Sequence, residues 1–213
     1  MGRIFVTGDV HRDDIYDRLN SHFYNNVLWE GGQDENFVIV CGDFGVIWNW
    51  RGPDDTEKYD LKWLEKKPFT TLFVDGNHEN HARLNEFPVE EWNGGKIHRI
   101  SPHVIHLMRG QVFTICGKKF FTMGGARCHD IKDGVLVPGR DDELIKEYGR
   151  DPFRLFRIEG RSIWYDLELP NEEEYNEARE NLKKHDYKVD YIITHCAPSC
   201  FVCLIPKKTS IIE

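Results

Sequence analysis

The sequence predicts a layered α/β domain. Short apolar runs alternate with longer amphipathic or loop segments along its 213 residues, the pattern of sheets covered by helices. Five runs (Ile4 to Thr7, Phe37 to Cys41, Thr70 to Val74, Phe120 to Met123 and Tyr191 to Thr194) are four or five residues long, the length of buried strands. Four are followed at once by a polar cluster, GDVH, GDFG, DGNHENH and HCAP, and the other by GGARCHD. Ligands of open α/β sheets bind where loops leave the carboxyl ends of strands. The clusters should therefore meet in one place.

Between the third run and the fifth the chain is richer in strand pattern. VIHLM, VFTI and KFFTM, within Arg99 to Met123, should supply meander strands to a second sheet. From Glu172 the pattern turns helical. Asn171 can cap, Glu174 follows three residues later as in a capping box, Tyr175, Ala178 and Leu182 share a face, and Lys183, Lys184 and His185 suit the helix end. The stretch from Arg127 to Trp164 is polar and carries Gly134, Pro138, Gly139, Gly149 and Pro152, with one short helical piece near Asp141 to Tyr148. It reads as a lid insertion, around 128–163, over the strand ends, or as a decorated surface loop. No repeat or linker divides the chain, so residues 1–213 read as a single domain.

Composition excludes several classes of function. A content of 40% hydrophobic and 30% charged residues is that of a globular domain, and no apolar run approaches the roughly 20 residues a bilayer requires. The start, MGRIFVTGDVH, reaches acidic and imidazole groups too early for a signal peptide. The expected compartment is the cytoplasm, with the cysteines at 41, 116, 128, 196, 200 and 203 reduced. A net charge of -8 argues against an extended nucleic-acid surface, which needs a stripe of lysine and arginine.

The polar clusters carry the chemistry. Asp9 and His11 occupy alternate positions just past a strand, so both side chains can point the same way. Asp43 leaves the second strand between Gly42 and Gly45, where the backbone can pass close to whatever the carboxylate binds. Asn77 and His78 leave the third strand and His195 a later one. This oxygen and nitrogen set, without thiolate, suits Mn, Fe or Zn better than a structural zinc site. Arg127, in GGARCHD, can reach a substrate phosphate or pair with Asp130, and Arg12, straight after His11, is a second phosphate candidate or a solvated helix start. Trp48, Trp50 and Arg51 could form an aromatic rim or fill core, and His81 reads as a helix-surface residue.

In order and in strand context, GDVH, GDFG, GNHE and the ITH of ITHCAP resemble the successive motifs of the calcineurin-like metallophosphoesterase superfamily, across residues 8 to 195. The resemblance implies a four-layer αββα sandwich of two mixed β-sheets flanked by helices. It implies two divalent ions, Mn first with Fe, Zn or Ni as alternatives. Asp9 and His11 would bind the first, Asp43 would bridge, and Asn77 and His195 would bind the second. The implied reaction is hydrolysis of a phosphate ester by in-line attack of metal-activated hydroxide, with His78 protonating the leaving group. The protein phosphatase branch carries V-D-R-G after its second motif, where this chain has GDFGVIWN, so small esters or nucleotides are favoured over phosphoproteins.

The chain departs from the pattern near its end. The superfamily carries a further G-H-x-H motif, and no histidine follows His195 here. Three readings stay open: a truncated form lacking its last strands, a site completed otherwise, or a catalytically weak protein that binds metal or phosphate. Cys196, Cys200 and Cys203 have the C-x3-C-x2-C spacing of the radical S-adenosylmethionine loop, but that loop precedes most of its chain, and only ten residues follow here. Apolar tail thiols are the better reading.

Overall fold

The computed structural model describes residues 2–27, 29–49, 51–128, 131–151, 154–159 and 167–197. The expectations placed on Trp50, Asp130, Trp164, Cys200 and Cys203 lie outside the described residues. In chain order the first half runs β1 (Ile4–Gly8), α1 (His11–Arg18), α2 (Ser21–Asn25), β2 (Phe37–Cys41), α3 (Asp55–Leu64), β3 (Thr70–Val74) and α4 (His81–Leu84). The second half runs β4 (Val89–Trp92), β5 (Gly95–Ser101), β6 (Val104–Leu107), β7 (Gln111–Ile115), β8 (Lys118–Met123), β9 (Val135–Leu136), α5 (Asp142–Tyr148), β10 (Arg157–Ile158), α6 (Glu172–Lys184) and β11 (Tyr191–Thr194).

Six strands form one sheet in the order β1-β2-β3-β6-β5-β4, and three form another in the order β11-β8-β7. Both sheets are mixed. β1, β2, β3 and β6 run parallel while β5 and β4 return antiparallel, and β8 pairs parallel with β11 and antiparallel with β7. Alternation along each strand then builds two cores. Val38 and Val40 of β2 pack with Ile15, Leu19, Leu64 and Phe69 on the helical side. Phe37 and Ile39 face the other way and meet Phe113, Phe120 and Ile193 of the smaller sheet. A third, smaller cluster joins Val112 and Phe121 to Ala178 and Leu182 of α6. Helices, sheet, sheet and helix make the expected four layers.

Burial on both faces explains why the central strands read as unbroken apolar runs. Every residue of β3 is buried. The α6 start is the capping box read from sequence: Asn171 Oδ1 accepts from Glu174 N at 2.9 Å, and Glu174 Oε2 accepts from Asn171 N at 2.8 Å.

Two expectations need correction. β6 joins the first sheet, not the second, because all four of its residues are buried and it pairs with β3 on one side and β5 on the other. Tyr175 is 41% exposed, so the buried face of α6 rests on Ala178 and Leu182. The expected insertion contains α5 and a two-stranded parallel pair, β9 with β10. No helix among the described residues is long and apolar enough to cross a membrane.

Candidate metal centre

The loops that leave β1, β2, β3, β8 and β11 meet at an opening of about 360 Å³ lined by Asp9, His11, Asp43, Asn77, His78, Ala126, Arg127, His195 and Cys196. Every site residue expected from the sequence is there except Arg12. That guanidinium turns away because buried Asp60 takes its Nε at 2.7 Å, with Asp54 3.8 Å from Nη2. The side chain is tied at Nε into a structural ion pair.

Asp43 sits at the centre, 3% exposed. Its Oδ1 accepts from the backbone N–H of His78 at 2.8 Å and lies 3.4 Å from His195 Nε2, while Oδ2 is 3.8 Å from His11 Nε2. Burial works to raise this carboxyl, but the hydrogen bonds from His195 and His78 outweigh it and hold the group below its ordinary range. His11 Nε2 also lies 2.8 Å from Asp9 Oδ1. His195 places Nδ1 2.8 Å from the Cys41 carbonyl, so that nitrogen donates its proton there and leaves Nε2 turned toward Asp43. Burial lowers this imidazole, yet its bonds to Asp43 and Cys41 raise it further, to about 9.

Local backbone supports this crowding. Asp9, His11 and Asp43 adopt φ of 38°, 34° and 49°, a left-handed region that costs a non-glycine residue about 1–3 kcal/mol and clusters at functional sites. Gly42 and Gly76 supply the space. A Cβ on Gly42 would lie 2.4 Å from the His195 ring, and one on Gly76 would lie 2.1 Å from Asp43 Oδ1. An oxygen and nitrogen donor set, in a cradle that two absent Cβ atoms keep open, fits divalent first-row ions. Ligand atoms of His11, Asp43 and His78 all lie within 4.8 Å of one another.

Sequence reasoning missed several supporting groups. Glu79, 1% exposed, ties two of the loops together: Oε1 accepts from Phe44 N at 2.6 Å and Gly45 N at 3.3 Å, and Oε2 from Gly76 N at 2.7 Å. Burial pushes its carboxyl up to about 7 against the pull of the Gly76 N–H. Its signal was its place in GNHE. Trp48 stacks on His78 at 5.9 Å between ring centroids, and His11 meets the same imidazole edge-on at 4.8 Å. His81 is corrected from surface to buried, 4% exposed, because its Nε2 turns inward to the Gly76 carbonyl at 3.0 Å and Asp75 at 3.3 Å.

Four layers of this topology, with an oxygen and nitrogen centre at the strand ends, define a metallophosphoesterase-like protein. The model of the calcineurin-like phosphoesterase family matches residues 2–195, and the chain belongs to that family. The lariat debranching enzyme of Danio rerio is 26% identical over 147 residues, which cover 62% of this chain and 24% of that protein. No solved structure matches the chain.

Proposed function

We propose that this chain is a dinuclear-metal-dependent phosphoesterase, a phosphatase or phosphodiesterase acting on a small phosphate ester or nucleotide. The observation that carries the reading is the convergence of Asp9, His11, Asp43, Asn77, His78 and His195 on one opening. Asp9, His11 and Asp43 would hold one ion, and Asp43, Asn77 and His195 the other. Manganese is favoured, with iron, zinc and nickel suited to the same donors. When bound, two such ions stabilise charge on phosphoryl oxygens and lower the pKa of a water.

The chain's own groups do the rest. His78, oriented between Trp48 and His11, protonates the departing oxygen, a step worth about 10²- to 10⁴-fold. Arg127, exposed at the rim, pairs with a non-bridging phosphoryl oxygen. The size of the opening suits a compact ester. Scattered single cysteines support a cytoplasmic setting.

The test is turnover of p-nitrophenyl phosphate and bis(p-nitrophenyl) phosphate by the 213-residue chain. Hydrolysis should stop on chelation and return with Mn²⁺. Full activity in excess chelator would sink the metal requirement. No hydrolysis of either ester with Mn²⁺, Fe²⁺, Zn²⁺ or Ni²⁺ would favour the binding-protein reading.

A further inference from the structure

The loop that leaves β2 carries Trp48 to the ring of His78, and its path is fixed at three successive carbonyls. Asn80 donates its backbone N–H to Ile47 O at 3.0 Å and its side-chain amide to Trp48 O at 3.2 Å, and Arg83 Nη1 donates to Asn49 O at 3.1 Å. Asn80 also caps α4, with Oδ1 accepting from Arg83 N at 3.1 Å. It stands two residues after His78 in the same motif. One residue therefore fastens both members of the stack of Trp48 on His78, whose ring planes lie 23° from parallel.

Arg83 is itself held from behind. Its guanidinium meets the carboxylate of Glu57 in α3 as a two-pronged pair, Nη1 to Oε2 at 2.6 Å and Nη2 to Oε1 at 2.9 Å, and both residues are buried. The start of α3 closes the circuit: Asp54 Oδ1 accepts from Glu57 N at 2.8 Å, and Oδ2 accepts from Asn49 Nδ2 at 3.1 Å. A buried ion pair is a poor source of stability, because taking both charges out of water offsets their attraction, and apolar residues of similar volume often do as well. What this pair supplies is direction. A guanidinium gripped at two nitrogens by one carboxylate has its second Nη1 N–H aimed at a fixed point, the Asn49 carbonyl.

We propose that Arg83 and Glu57 are positioning residues for His78: through the loop of residues 47–49 and the indole of Trp48 they hold the imidazole in the orientation from which it passes its proton to the leaving oxygen. The inference rests on the hydrolytic reading above and on the acid role of His78. Neither residue lines the opening, so substituting them leaves every proposed ligand and the acid itself in the chain. Misplacing a reacting group by about 1 Å costs on the order of 10²-fold in rate.

The test is the double variant Glu57→Leu with Arg83→Met, which removes both charges together and leaves neither buried alone, so that the fold is kept. In the chain held in excess chelator, the imidazole proton resonances of His78, displaced in the parent by the ring current of Trp48, should move in the double variant toward their positions in Trp48→Leu. With Mn²⁺, kcat on an alkyl phosphate should fall about tenfold to 10²-fold, while kcat on the matching p-nitrophenyl ester changes less than about twofold and bound Mn²⁺ stays at the parent's stoichiometry. In a His78→Ala background the double substitution should change nothing more, the non-additivity of groups that act as a unit. Unmoved His78 resonances, equal loss on both esters, or a full further loss on top of His78→Ala would overturn the proposal. If the parent hydrolyses neither ester, the hydrolytic reading fails, and the resonances alone decide whether the pair orients His78. Should the double variant not fold, Arg83→Lys, which keeps the charge beside Glu57 but loses the planar fork, takes its place in each measurement.

Discussion

Replacing His78 by alanine separates two roles that its position permits. The imidazole lies within ligand reach of His11 and Asp43, so it could hold an ion instead of protonating a leaving group. The substitution is clean because the backbone N–H that donates to Asp43 at 2.8 Å stays in place. The ring contacts with Trp48 and His11 are lost. Such aromatic contacts are worth about 0.5–1.5 kcal/mol each, which a domain stable by about 5–15 kcal/mol survives. As a general acid, His78 should contribute about 3 to 5 kcal/mol to the barrier, or 10²- to 10⁴-fold in kcat. That loss should appear on alkyl phosphates, whose leaving oxygen needs a proton, and shrink on p-nitrophenyl esters, whose leaving group departs as an anion. Bound metal, measured by elemental analysis after gel filtration, should stay at the parent's stoichiometry. Equal loss on good and poor leaving groups, together with loss of bound metal, would refute the acid role and make His78 a ligand.

Glu79→Ala should cost roughly 2–4 kcal/mol in urea unfolding, because it leaves buried backbone N–H groups at Phe44 and Gly76 unpaired, with a weaker third at Gly45. A change below about 0.5 kcal/mol, the range of an ordinary surface substitution, would show that the loops do not depend on that carboxylate. Acid stability should trace His98, which faces His106 and, beyond it, Asp75 and Arg109. Its folded pKa is lowered to about 4 from 6.5. Between those values the unfolded chain binds a proton that the folded chain refuses, so stability rises with pH through that window and is lost on acidification, by up to about 3 kcal/mol. His98→Asn should flatten that part of the stability profile, and an unchanged slope between pH 6.5 and 4 would count against the assignment.

The strands were legible where burial is two-sided. Phe37–Cys41 and Thr70–Val74 match their apolar runs to the residue, since such runs end where the chain leaves the core. The hairpin of β4 and β5 was not, because exposure alternates along VEEW while hydropathy does not: Val89 takes an exposed position and Glu90 a half-buried one. β6 was seen as a strand and put in the wrong sheet. Sequence spacing says that VIHL is extended, but only the parallel pairing of Thr71 with Val104 and of Leu72 with Ile105 says which sheet it enters.

The candidate metal centre was legible for a related reason. Asp9, Asp43 and His78 stand in short polar motifs directly after strands, so topology alone brings them together. Arg12 shows the limit of that logic. It is one residue from His11, yet Asp60, 48 residues away in sequence, takes its guanidinium. Arg109 and Asp75 show the same limit from the other side. Asp75 opens the DGNHENH motif and looks like one more ligand, but its carboxylate points behind the loop, where it accepts from Arg109, His106 and His81. Gly124 explains why. A Cβ there would lie 2.1 Å from Asp75 Oδ1, so the carboxylate occupies space that only a glycine can leave. Carboxylates that follow two neighbouring strands, Asp43 after β2 and Asp75 after β3, are thus sent to different surroundings. Asp43 remains on the side where ions would sit, and Asp75 anchors a buried network with Arg109, His106 and His81.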